Sequence, residues 1–397
     1  MYSTIPLVDL HAQHAQVADE IAEGWSDVLA HAAFIDGAPV AAFEVAYASY
    51  IGVGHCIGVG NGTDALEIAL RALDIGTGDE CVLPANTFIA TAEAVARAGA
   101  TPVLVDCRPD TGLLDVEAAI AAVTPRTRAV LPVHLYGQAA DVAGLRATLP
   151  SGVAIVEDAA QSQGARRDGR AAGALGDIAA TSFYPGKNLG AYGDAGAVLT
   201  DDDEFASRVR LLGAHGSPRK YEHLVLGFNS RLDSLQAVVL SAKLRRLDAW
   251  NEARRTAAAR YDALLADVPG VTLPAVDAGN TPVWHLYVVQ VPDRDRVLAA
   301  LHDAGVGAGV HYPLPLHLTG AFSDLGKAGD FPIAEARAER ILSLPLFPEI
   351  TEAQQERVVE VLARATLSAR GRAPHARADS ATELDSAESD EPTTRLE

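Results

Sequence analysis

Residues 56–70 read CIGVGNGTDALEIAL, which is a short apolar run, a glycine turn and a segment with helical periodicity. This order is typical of a strand that passes through a tight turn into a helix. Gly60 and Gly62 allow the backbone to approach a ligand closely. Thr63 and Asp64 would then begin a helix whose free N–H groups can bind a phosphate. Alternatively, the turn joins the strand to the helix and binds nothing.

The same alternation of strands and helices extends outward from this stretch, from about residue 50 to residue 201. Helices are predicted for TDALEIALRAL, IATAEAVARAG and LDVEAAIAAV. Strands that are apolar throughout and spaced by helices indicate a largely parallel sheet covered on both faces. The predicted fold class is therefore α/β, in which a ligand lies beyond the carboxyl ends of the strands. The predicted strands are HCIGVG, ECVLPA, TPVLVD, RAVLPVH, VAIVED, AATSFY and GAVLT.

The second half of the chain predicts a connecting helix and another αβ unit. Residues Ser230 to about Leu265 form one long helical pattern. WHLYVVQVP, a helix near Asp295–Ala304, VGAGVHYP and a helix near Thr351–Ala365 follow it. We therefore expect an N-terminal arm (1–30), a large domain (31–250), a small C-terminal domain (251–369) and a disordered acidic tail (370–397).

Composition limits the classes of function. The 397 residues carry a formal net charge of −20, which argues against non-specific binding of nucleic acid. No apolar run is long enough to span a membrane, and the N-terminus lacks the features of a signal peptide. Cys56, Cys81 and Cys107 are far apart, so we expect reduced thiols rather than a disulfide or metal site. These features predict a cytoplasmic protein without a metal.

Two residues stand where predicted strands end. Asp158 follows the strand in AIVEDAAQSQGA, and a buried carboxylate there needs a partner. That partner is either the protonated nitrogen of a heterocycle, or an arginine or a helix cap. Phe88, in PANTFIATAEAV, begins a helix after another strand. Its ring either stacks on a planar ligand or packs in the core.

A single lysine lies in the glycine-rich loop TSFYPGKNLGAYGDAGA, residues 181–197. Lys187 is the only charged residue between Asp177 and Asp194, so the loop is not a solvated run of charges. Its spacing does not match a G-x-x-x-x-G-K-[ST] phosphate loop, because Thr181 stands at the position of the first glycine. A partly desolvated lysine has a lowered pKa and can act as a nucleophile.

Together these features match the requirements of pyridoxal phosphate. That cofactor needs a lysine for its Schiff base and a carboxylate that keeps its pyridine nitrogen protonated. A nicotinamide site is the rival hypothesis, because Gly60, Gly62 and Ala65 fit G-x-G-x-x-A. That motif requires an acid at the end of the next strand, whereas Asp79 and Glu80 precede ECVLP.

The sequence resembles the DegT/DnrJ/EryC1/StrS family of sugar aminotransferases from about Ile5 to Ala365. This resemblance implies the type I, aspartate aminotransferase-like fold of pyridoxal-phosphate enzymes, with a large domain and a smaller α+β domain. The segments that carry it are VGNGTDALEIAL, PANTFIATAEAV, VHLYGQ, IVEDAAQSQGA, SFYPGKNLGAYGDAGAV, GFNSRLDSLQA, VHYPLPLH and LSLPLFPEIT.

The resemblance also implies residue roles. Lys187 would attach the cofactor covalently, Phe88 would stack on its ring, Asp158 would pair with its nitrogen and Gln161 would lie near its 3-hydroxyl. Asn229 would reach the phosphate in the neighbouring subunit, which implies a homodimer with shared active sites. The residues that would bind the phosphate in the same chain are Gly62, Thr63 and Ser182.

The wording of the lysine loop indicates a branch of the family. SFYPGKNLGAYGDAG resembles enzymes that aminate a 3-keto-6-deoxyhexose carried on dTDP, whereas C4-aminating enzymes more often resemble GKxxTTGEGG. Glutamate is the expected amino donor. Residues expected to contact the sugar nucleotide, unless they form an exposed loop or a satisfied core, are Tyr184, Arg219, Lys220, Tyr221, Arg231, His311 and Tyr312.

Four alternatives stay open at this point. The chain could be a C4 sugar or cyclitol aminotransferase with the same chemistry. It could be a pyridoxamine-dependent sugar dehydratase, although those enzymes have histidine where Lys187 stands. From other classes, it could be a nicotinamide-dependent sugar oxidoreductase or a sugar-nucleotide sensor without catalysis.

Overall fold

The computed structural model describes residues 4–370, so the predicted acidic tail lies outside the described residues apart from Arg370. None of the helices within this range is long and apolar enough to cross a membrane. The strands are β1 (His55–Val59), β2 (Glu80–Pro84), β3 (Thr101–Val105), β4 (Thr127–Val130), β5 (Ala154–Asp158), β6 (Arg166–Arg167), β7 (Arg170–Ala171), β8 (Ile178–Ser182), β9 (Gly196–Thr200), β10 (Asn280–Thr281), β11 (Tyr287–Gln290) and β12 (Ile341–Leu344). The helices are α1 (Leu10–Ala15), α2 (Ala18–His31), α3 (Ala38–Ile51), α4 (Gly62–Ala72), α5 (Ile89–Ala98), α6 (Val116–Ala121), α7 (Val142–Thr148), α8 (Asp203–Gly213), α9 (Ser234–Leu244), α10 (Leu247–Leu265), α11 (Arg294–Asp303), α12 (Pro332–Ala338) and α13 (Glu352–Arg370).

The main sheet contains all seven predicted strands, in the order β1-β9-β8-β5-β4-β2-β3. Strand β9 is antiparallel to both of its neighbours, and the pairs from β8 to β3 are parallel. Every residue of β2 and β9 is buried, which explains why their sequences are apolar without alternation. The predicted α/β class with a mostly parallel sheet is confirmed.

Helices cover both faces of this sheet. Helices α4 and α5 pack on one face, with Ile68, Leu70 and Val95 fully buried in that core. Helices α3 and α9 pack on the other face, where Phe43 and Leu240 are fully buried. A sheet buried on both sides leaves its strand ends as the surface where polar side chains can meet a ligand.

The C-terminal part of the chain packs around a second core. Strands β11 and β12 form an antiparallel pair, and Tyr261, Leu301 and Val358 from α10, α11 and α13 surround it. Ile5 belongs to the same core, and its N–H donates to the Gly305 carbonyl at 2.9 Å. The N-terminal segment therefore packs on the C-terminal core, and the boundaries at residues 30, 250 and 369 stay predictions.

Three local predictions for the second half were wrong. The helical pattern from Ser230 to Leu265 forms two helices separated by Arg245 and Arg246, whose guanidinium groups both reach Glu20 of α2, at 2.5 and 2.7 Å. Helix α12 and strand β12 were not predicted from the sequence. The segment VGAGVHYP forms only isolated bridges, from Val306 to Ile5 and from Gly309 to Ser343, rather than a strand.

Candidate active site

The carboxyl ends of β5 and β8 define the centre of the candidate site. These strands are parallel neighbours, with Asp158 in register with Ala180, so Asp158 and Ser182 end at the same edge of the sheet. The loop with Lys187 follows β8 and returns into β9, where Ser182 pairs with Gly196. The topology therefore brings the strand-end carboxylate and the lysine loop together.

The N-terminus of α4 lies directly against the end of β8. Asn61 caps the helix, since its Oδ1 accepts from the Asp64 N–H at 2.8 Å. A Cβ atom on Gly62 would lie 2.6 Å from Ser182 Cβ, so only glycine allows this approach. The free N–H groups of Gly62 and Thr63, with the Ser182 hydroxyl beside them, form a cradle suited to a phosphate.

Asp158 is a buried carboxylate whose partners are all uncharged. Its Oδ2 accepts from the Thr91 hydroxyl at 2.7 Å, and its Oδ1 accepts from the Ala160 N–H at 3.2 Å. Within residues 4–370 no arginine, lysine or histidine forms an ion pair with it. The alternative partners expected from the sequence, an arginine or a helix cap, are therefore not found there. A buried carboxylate without a cation is costly, and a protonated ring nitrogen would satisfy it.

Lys187 lies in a turn at the start of its loop, where its N–H donates to the Tyr184 carbonyl at 2.8 Å. The side chain is only partly exposed. Desolvation lowers the pKa of Lys187 from 10.5 to about 8, although the charge of Asp158 acts in the opposite direction. Near pH 8 a substantial fraction of this amine is neutral and can form a covalent bond to a carbonyl carbon.

Buried polar side chains hold the lysine loop on both sides of Lys187. Asn188 donates from Nδ2 to the Asn251 side chain at 2.8 Å and to the Val283 carbonyl at 2.9 Å. Further along the loop, Lys243 Nζ donates to the Gly190 carbonyl at 2.7 Å. These bonds fix the backbone that carries the amine.

Gln161 and two aromatic side chains close the other side of the site. Phe88 is 49% exposed rather than part of the core, and its ring lies 5.2 Å from the Tyr312 ring, centroid to centroid. Gln161 accepts from the Tyr136 N–H at 2.7 Å and donates to the Tyr312 hydroxyl at 3.0 Å. The structure thus brings together Phe88, Gln161 and Tyr312, and a flat ring could lie beside Phe88.

His311 faces the same space. Its Nδ1 is 2.8 Å from the Ser343 hydroxyl. Desolvation lowers the pKa of His311 and the charge of Lys187 lowers it further, so the imidazole is neutral near pH 7. Tyr184 is largely exposed next to Ser182, whose hydroxyl accepts from the Tyr184 N–H at 3.2 Å. Both residues border the candidate site.

Five other predicted residues lie in an exposed segment, residues 215–231, whose hydrogen bonds and ring contacts do not reach Lys187 or Asp158. Lys220 Nζ lies 5.1 Å from the centre of the Tyr221 ring, and Arg231 donates to the Asn229 side chain at 2.9 Å. Arg219 forms an isolated bridge with Glu222. In a single chain these five residues do not complete the site.

The side chains at this edge fit pyridoxal phosphate on three structural grounds. The cradle at Gly62 would hold a phosphate, the uncompensated carboxylate of Asp158 would meet a protonated ring nitrogen, and the Lys187 amine is available for covalent attachment. The same residues do not fit a nicotinamide dinucleotide, because β2 ends at Pro84 and no acid follows before Phe88. In the described part of the chain no cluster of three or more His, Cys, Asp or Glu side chains is placed to hold a metal ion.

Four residues that hold the side chains of the site in place were not predicted from the sequence. Thr91, Asn188, Lys243 and His285 all act through contacts between segments distant in sequence. Asn188 could have been predicted as a supporting residue, since it directly follows Lys187 in the loop identified from the sequence. Lys243 had a weaker signal, because it is the only charged residue of α9.

The fold and this site define an enzyme of the pyridoxal-phosphate-dependent aminotransferases. The chain belongs to the DegT/DnrJ/EryC1/StrS aminotransferase family, whose model matches residues 15–363. This family assignment makes the chain a sugar aminotransferase, and the nicotinamide hypothesis is not supported.

Curated relatives cover nearly the same length. The chain is 47% identical to the erythromycin biosynthesis sensory transduction protein EryC1 of Saccharopolyspora erythraea, over 90% of this chain and 98% of that protein. It is 46% identical to UDP-N-acetyl-3-dehydro-alpha-D-glucosamine 3-aminotransferase of Acidithiobacillus ferrooxidans, over 91% and 98%. It is 44% identical to dTDP-3-amino-3,4,6-trideoxy-alpha-D-glucose transaminase of Streptomyces venezuelae, over 90% and 95%.

A crystal structure shows the same fold. DesV of S. venezuelae, solved in complex with a ketimine intermediate, matches with a TM-score of 0.89 and 44% identity. The match covers 91% of this chain and 98% of DesV.

Proposed function

We propose that this sugar aminotransferase transfers an amino group from glutamate to carbon 3 of a 3-keto-6-deoxyhexose carried on dTDP. The proposal rests on one observation, which is that the names of two relatives give the same carbon of the sugar as the site of amination. The trideoxyglucose transaminase and the acetylglucosamine aminotransferase are both named for position 3, although one uses a dTDP sugar and the other a UDP sugar. The lysine loop SFYPGKNLGAYGDAG supports the same position.

We infer that the cofactor lies at the carboxyl edge of the sheet. Gly62, Thr63 and Ser182 would hold its phosphate, and Phe88 would cover one face of its ring. When bound, pyridoxal phosphate supplies an electron sink for the carbanion formed at the amino-bearing carbon. The other residues act on protons and position.

Asp158 would keep a proton on the ring nitrogen through its carboxylate. Gln161 would orient the opposite edge of the ring, because its own side chain is held at both ends, by the Tyr136 N–H and the Tyr312 hydroxyl. Both side chains are buried, so water does not compete for these contacts.

Lys187 would first hold the cofactor covalently and then act as the proton carrier. Its Nζ would accept the proton that leaves the α-carbon of the donor and would pass it to the cofactor. The lowered pKa of about 8 suits this role, because an amine transfers protons best when its pKa lies near the working pH. In the second half-reaction Nζ delivers a proton to carbon 3 of the sugar.

Recognition of the sugar nucleotide is assigned to two groups of residues. Tyr184, His311 and Tyr312 of the same chain border the space above the cofactor. We propose that segment 215–231 acts in the active site of a second copy, with Asn229 on the cofactor phosphate. Exposed apolar side chains support a homodimer, since Leu226 of this segment is 97% exposed. Cation donors for the pyrophosphate would be Arg219, Lys220 and Arg231, with Tyr221 beside the sugar.

An assay of four substrates tests the proposal. The purified enzyme is incubated with glutamate and, in turn, dTDP-linked 3-keto and 4-keto 6-deoxyhexoses, a UDP-linked 3-keto sugar and a keto-cyclitol. Mass spectrometry and the NMR position of the new amine identify the product. We expect the dTDP 3-keto sugar to react fastest. Faster turnover of the 4-keto sugar, the UDP sugar or the cyclitol would contradict the assigned substrate, and turnover of none would favour a sensor, as the name of EryC1 suggests.

Lys187→Ala is the control in the same assay. We expect it to lose turnover on every substrate, because no other amine lies in the loop between residues 183 and 195. Wild-type turnover by this variant would contradict the role of Lys187. A cytoplasmic location stays a prediction.

A further inference from the structure

Two threonine hydroxyls lie in series behind Asp158. Thr91 Oγ1 is 2.7 Å from Asp158 Oδ2, and Thr87 Oγ1 is 2.8 Å from Thr91 Oγ1. An ionised carboxylate can only accept, so the single hydroxyl proton of Thr91 points to Asp158. Thr87 must then donate to Thr91, which gives the chain of hydrogen bonds one direction, from Thr87 through Thr91 to Asp158.

The placement of these threonines follows from the junction of β2 and α5. Phe88 is the N-cap of α5, and its ring is turned outward. Thr87 directly precedes the N-cap and Thr91 lies in the first turn of α5, and both side chains are buried. A buried helical threonine commonly bonds its hydroxyl to a carbonyl one turn earlier, but the hydroxyl of Thr91 bonds to Asp158 instead.

We propose that Thr91, supported by Thr87, is a positioning residue that holds the Asp158 carboxylate aimed at the cofactor ring nitrogen. A hydroxyl that donates to a carboxylate stabilises its charged form, and a second hydroxyl behind it strengthens that bond in a site of low dielectric. A carboxylate held in this way keeps its other oxygen directed at the ring nitrogen and the proton on it. The ring then keeps its positive charge, on which its capacity as an electron sink depends.

The inference rests on the proposed role of Asp158, so the experiment must separate the two. Wild-type enzyme and variants are loaded with pyridoxal phosphate labelled with ¹⁵N in the ring, and the ¹⁵N chemical shift reports the protonation of that nitrogen. Borohydride reduction followed by mass spectrometry reports attachment to Lys187 independently. Failure of the wild-type enzyme to bind the cofactor through Lys187 would sink the proposed function itself.

Thr91→Val is the decisive variant, because it keeps the shape and removes the hydroxyl. We expect attachment to Lys187 to persist, the ¹⁵N shift to move toward unprotonated pyridine and the Kd for the cofactor to rise about tenfold. Thr91→Ser should restore both wild-type values. An unchanged shift and Kd in Thr91→Val, or a Thr91→Ser variant that behaves like it, would overturn the inference.

Two further variants keep the result interpretable. Thr87→Val should move the ¹⁵N shift in the same direction but less far. If Thr91→Val does not fold, Thr87→Val provides the test of the inference. No movement in Thr87→Val would then overturn the inference. Thr366→Val is the matched control, because Thr366 is also buried and helical but bonds only to the Leu362 and Ala363 carbonyls of its own helix. It should leave the shift and the Kd unchanged.

Discussion

His134 donates from Nε2 to the carboxylate of Glu157 at 2.6 Å, and both side chains are fully buried. The Ala140 N–H donates to His134 Nδ1 at 3.0 Å, so the imidazole joins the Glu157 carboxylate to the backbone that follows β4. Glu157 precedes Asp158 on β5. The contact between His134 and Glu157 therefore anchors the strand end that carries Asp158. Glu157 also accepts from the backbone N–H groups of Gly173, Leu175 and Gly176.

Glu157→Gln should lower the free energy of unfolding by about 3 kcal/mol at pH 7, because an amide NH₂ would face N–H groups that need an acceptor. Urea unfolding measures the change. The exposed variant Glu23→Gln is the control and should stay within about 0.5 kcal/mol of wild type. A comparable loss in Glu23→Gln would show that the effect is not specific to the buried site.

Acid should reduce the difference between wild type and Glu157→Gln. Burial is the largest influence on the pKa of Glu157 and raises it, but the hydrogen bond and the charge of His134, together with the bonds from the Gly176 and Gly173 N–H groups, outweigh burial. The folded-state pKa therefore lies below the ordinary 4.5. Its contribution to stability is complete above pH 4.5 and disappears as the pH falls through the folded-state value. A difference that is constant from pH 7 to pH 3 would contradict this account.

Lys187→Met should make the cofactor-free protein more stable while it abolishes transamination. Folding lowers the pKa of Lys187 from 10.5 to about 8, so the buried ammonium costs free energy at neutral pH. At about 1.4 kcal/mol per pKa unit, and allowing for partial exposure, the gain is on the order of 2 kcal/mol. Thermal and urea unfolding of the cofactor-free proteins measure it.

The pH dependence of this gain checks its cause. The cost of the wild-type lysine is complete below pH 8 and declines between about pH 8 and 10.5, so the advantage of Lys187→Met should shrink across that interval. Lys187→Arg keeps the charge and should show no gain. A gain of equal size in Lys187→Arg, or one independent of pH, would exclude desolvation as the cause.

Lys243→Met should loosen the lysine loop without touching the site. Lys243 is buried, donates to Gln13 Oε1 at 2.8 Å as well as to the Gly190 carbonyl, and lies 4.5 Å from the Tyr192 ring centre. Its loss leaves two acceptors without a donor, which costs about 1–3 kcal/mol. Desolvation lowers the pKa of Lys243 to about 8, so removal of the ammonium offsets part of this cost, and the expected result is faster amide hydrogen exchange in residues 183–195, followed by mass spectrometry.

The exposed variant Lys220→Met is the matched control for Lys243→Met. It also removes one ammonium, but from segment 215–231, and should leave hydrogen exchange in the lysine loop unchanged. Equal exchange rates in Lys243→Met and wild type would show that the loop does not depend on this contact.

Leu226→Asp should dissociate the proposed homodimer. A leucine that is 97% exposed in one chain would be buried by a second copy, and a buried unpaired carboxylate there costs at least about 2 kcal/mol of association free energy. Sedimentation equilibrium measures the change. Leu367→Asp, an exposed leucine on α13, is the control and should stay dimeric. A Leu226→Asp variant that is as dimeric as wild type would place the interface elsewhere.

The sequence predicted the sheet well because burial on both faces leaves a local signal. All seven strands were found as apolar runs, and the turn at Gly62 was found from glycine spacing. The direction of β9 left no such signal, since an apolar strand reads the same whichever way it runs. The break at Arg245 was not predicted, since the helical pattern continues across it and the contact of Arg245 with Glu20 joins residues far apart in sequence.

The residues of the candidate site also fall into those that the sequence predicted and those that it did not. Lys187 and Asp158 stood out because a lone charge in an apolar setting is visible in sequence. Thr91 is a neutral residue in an ordinary helical pattern, and only the tertiary structure brings its hydroxyl to Asp158. The residues of segment 215–231 were expected at the site, but in one chain their contacts do not reach Lys187 or Asp158, and their role in a second copy stays a proposal.

The reversed direction of β9 has a consequence for how such an enzyme can be altered. Residues 183–195 leave the sheet on β8 and return on the adjacent β9, and Phe183 bonds back to both Ala195 and Ala191. Insertions in this loop would disturb the hydrogen bonds of Phe183 and the buried contacts of Asn188, which together fix the backbone on both sides of Lys187. We therefore expect that sugar specificity is altered with less damage by exchanging segment 215–231, to which we assign sugar-nucleotide recognition, than by changing the lysine loop.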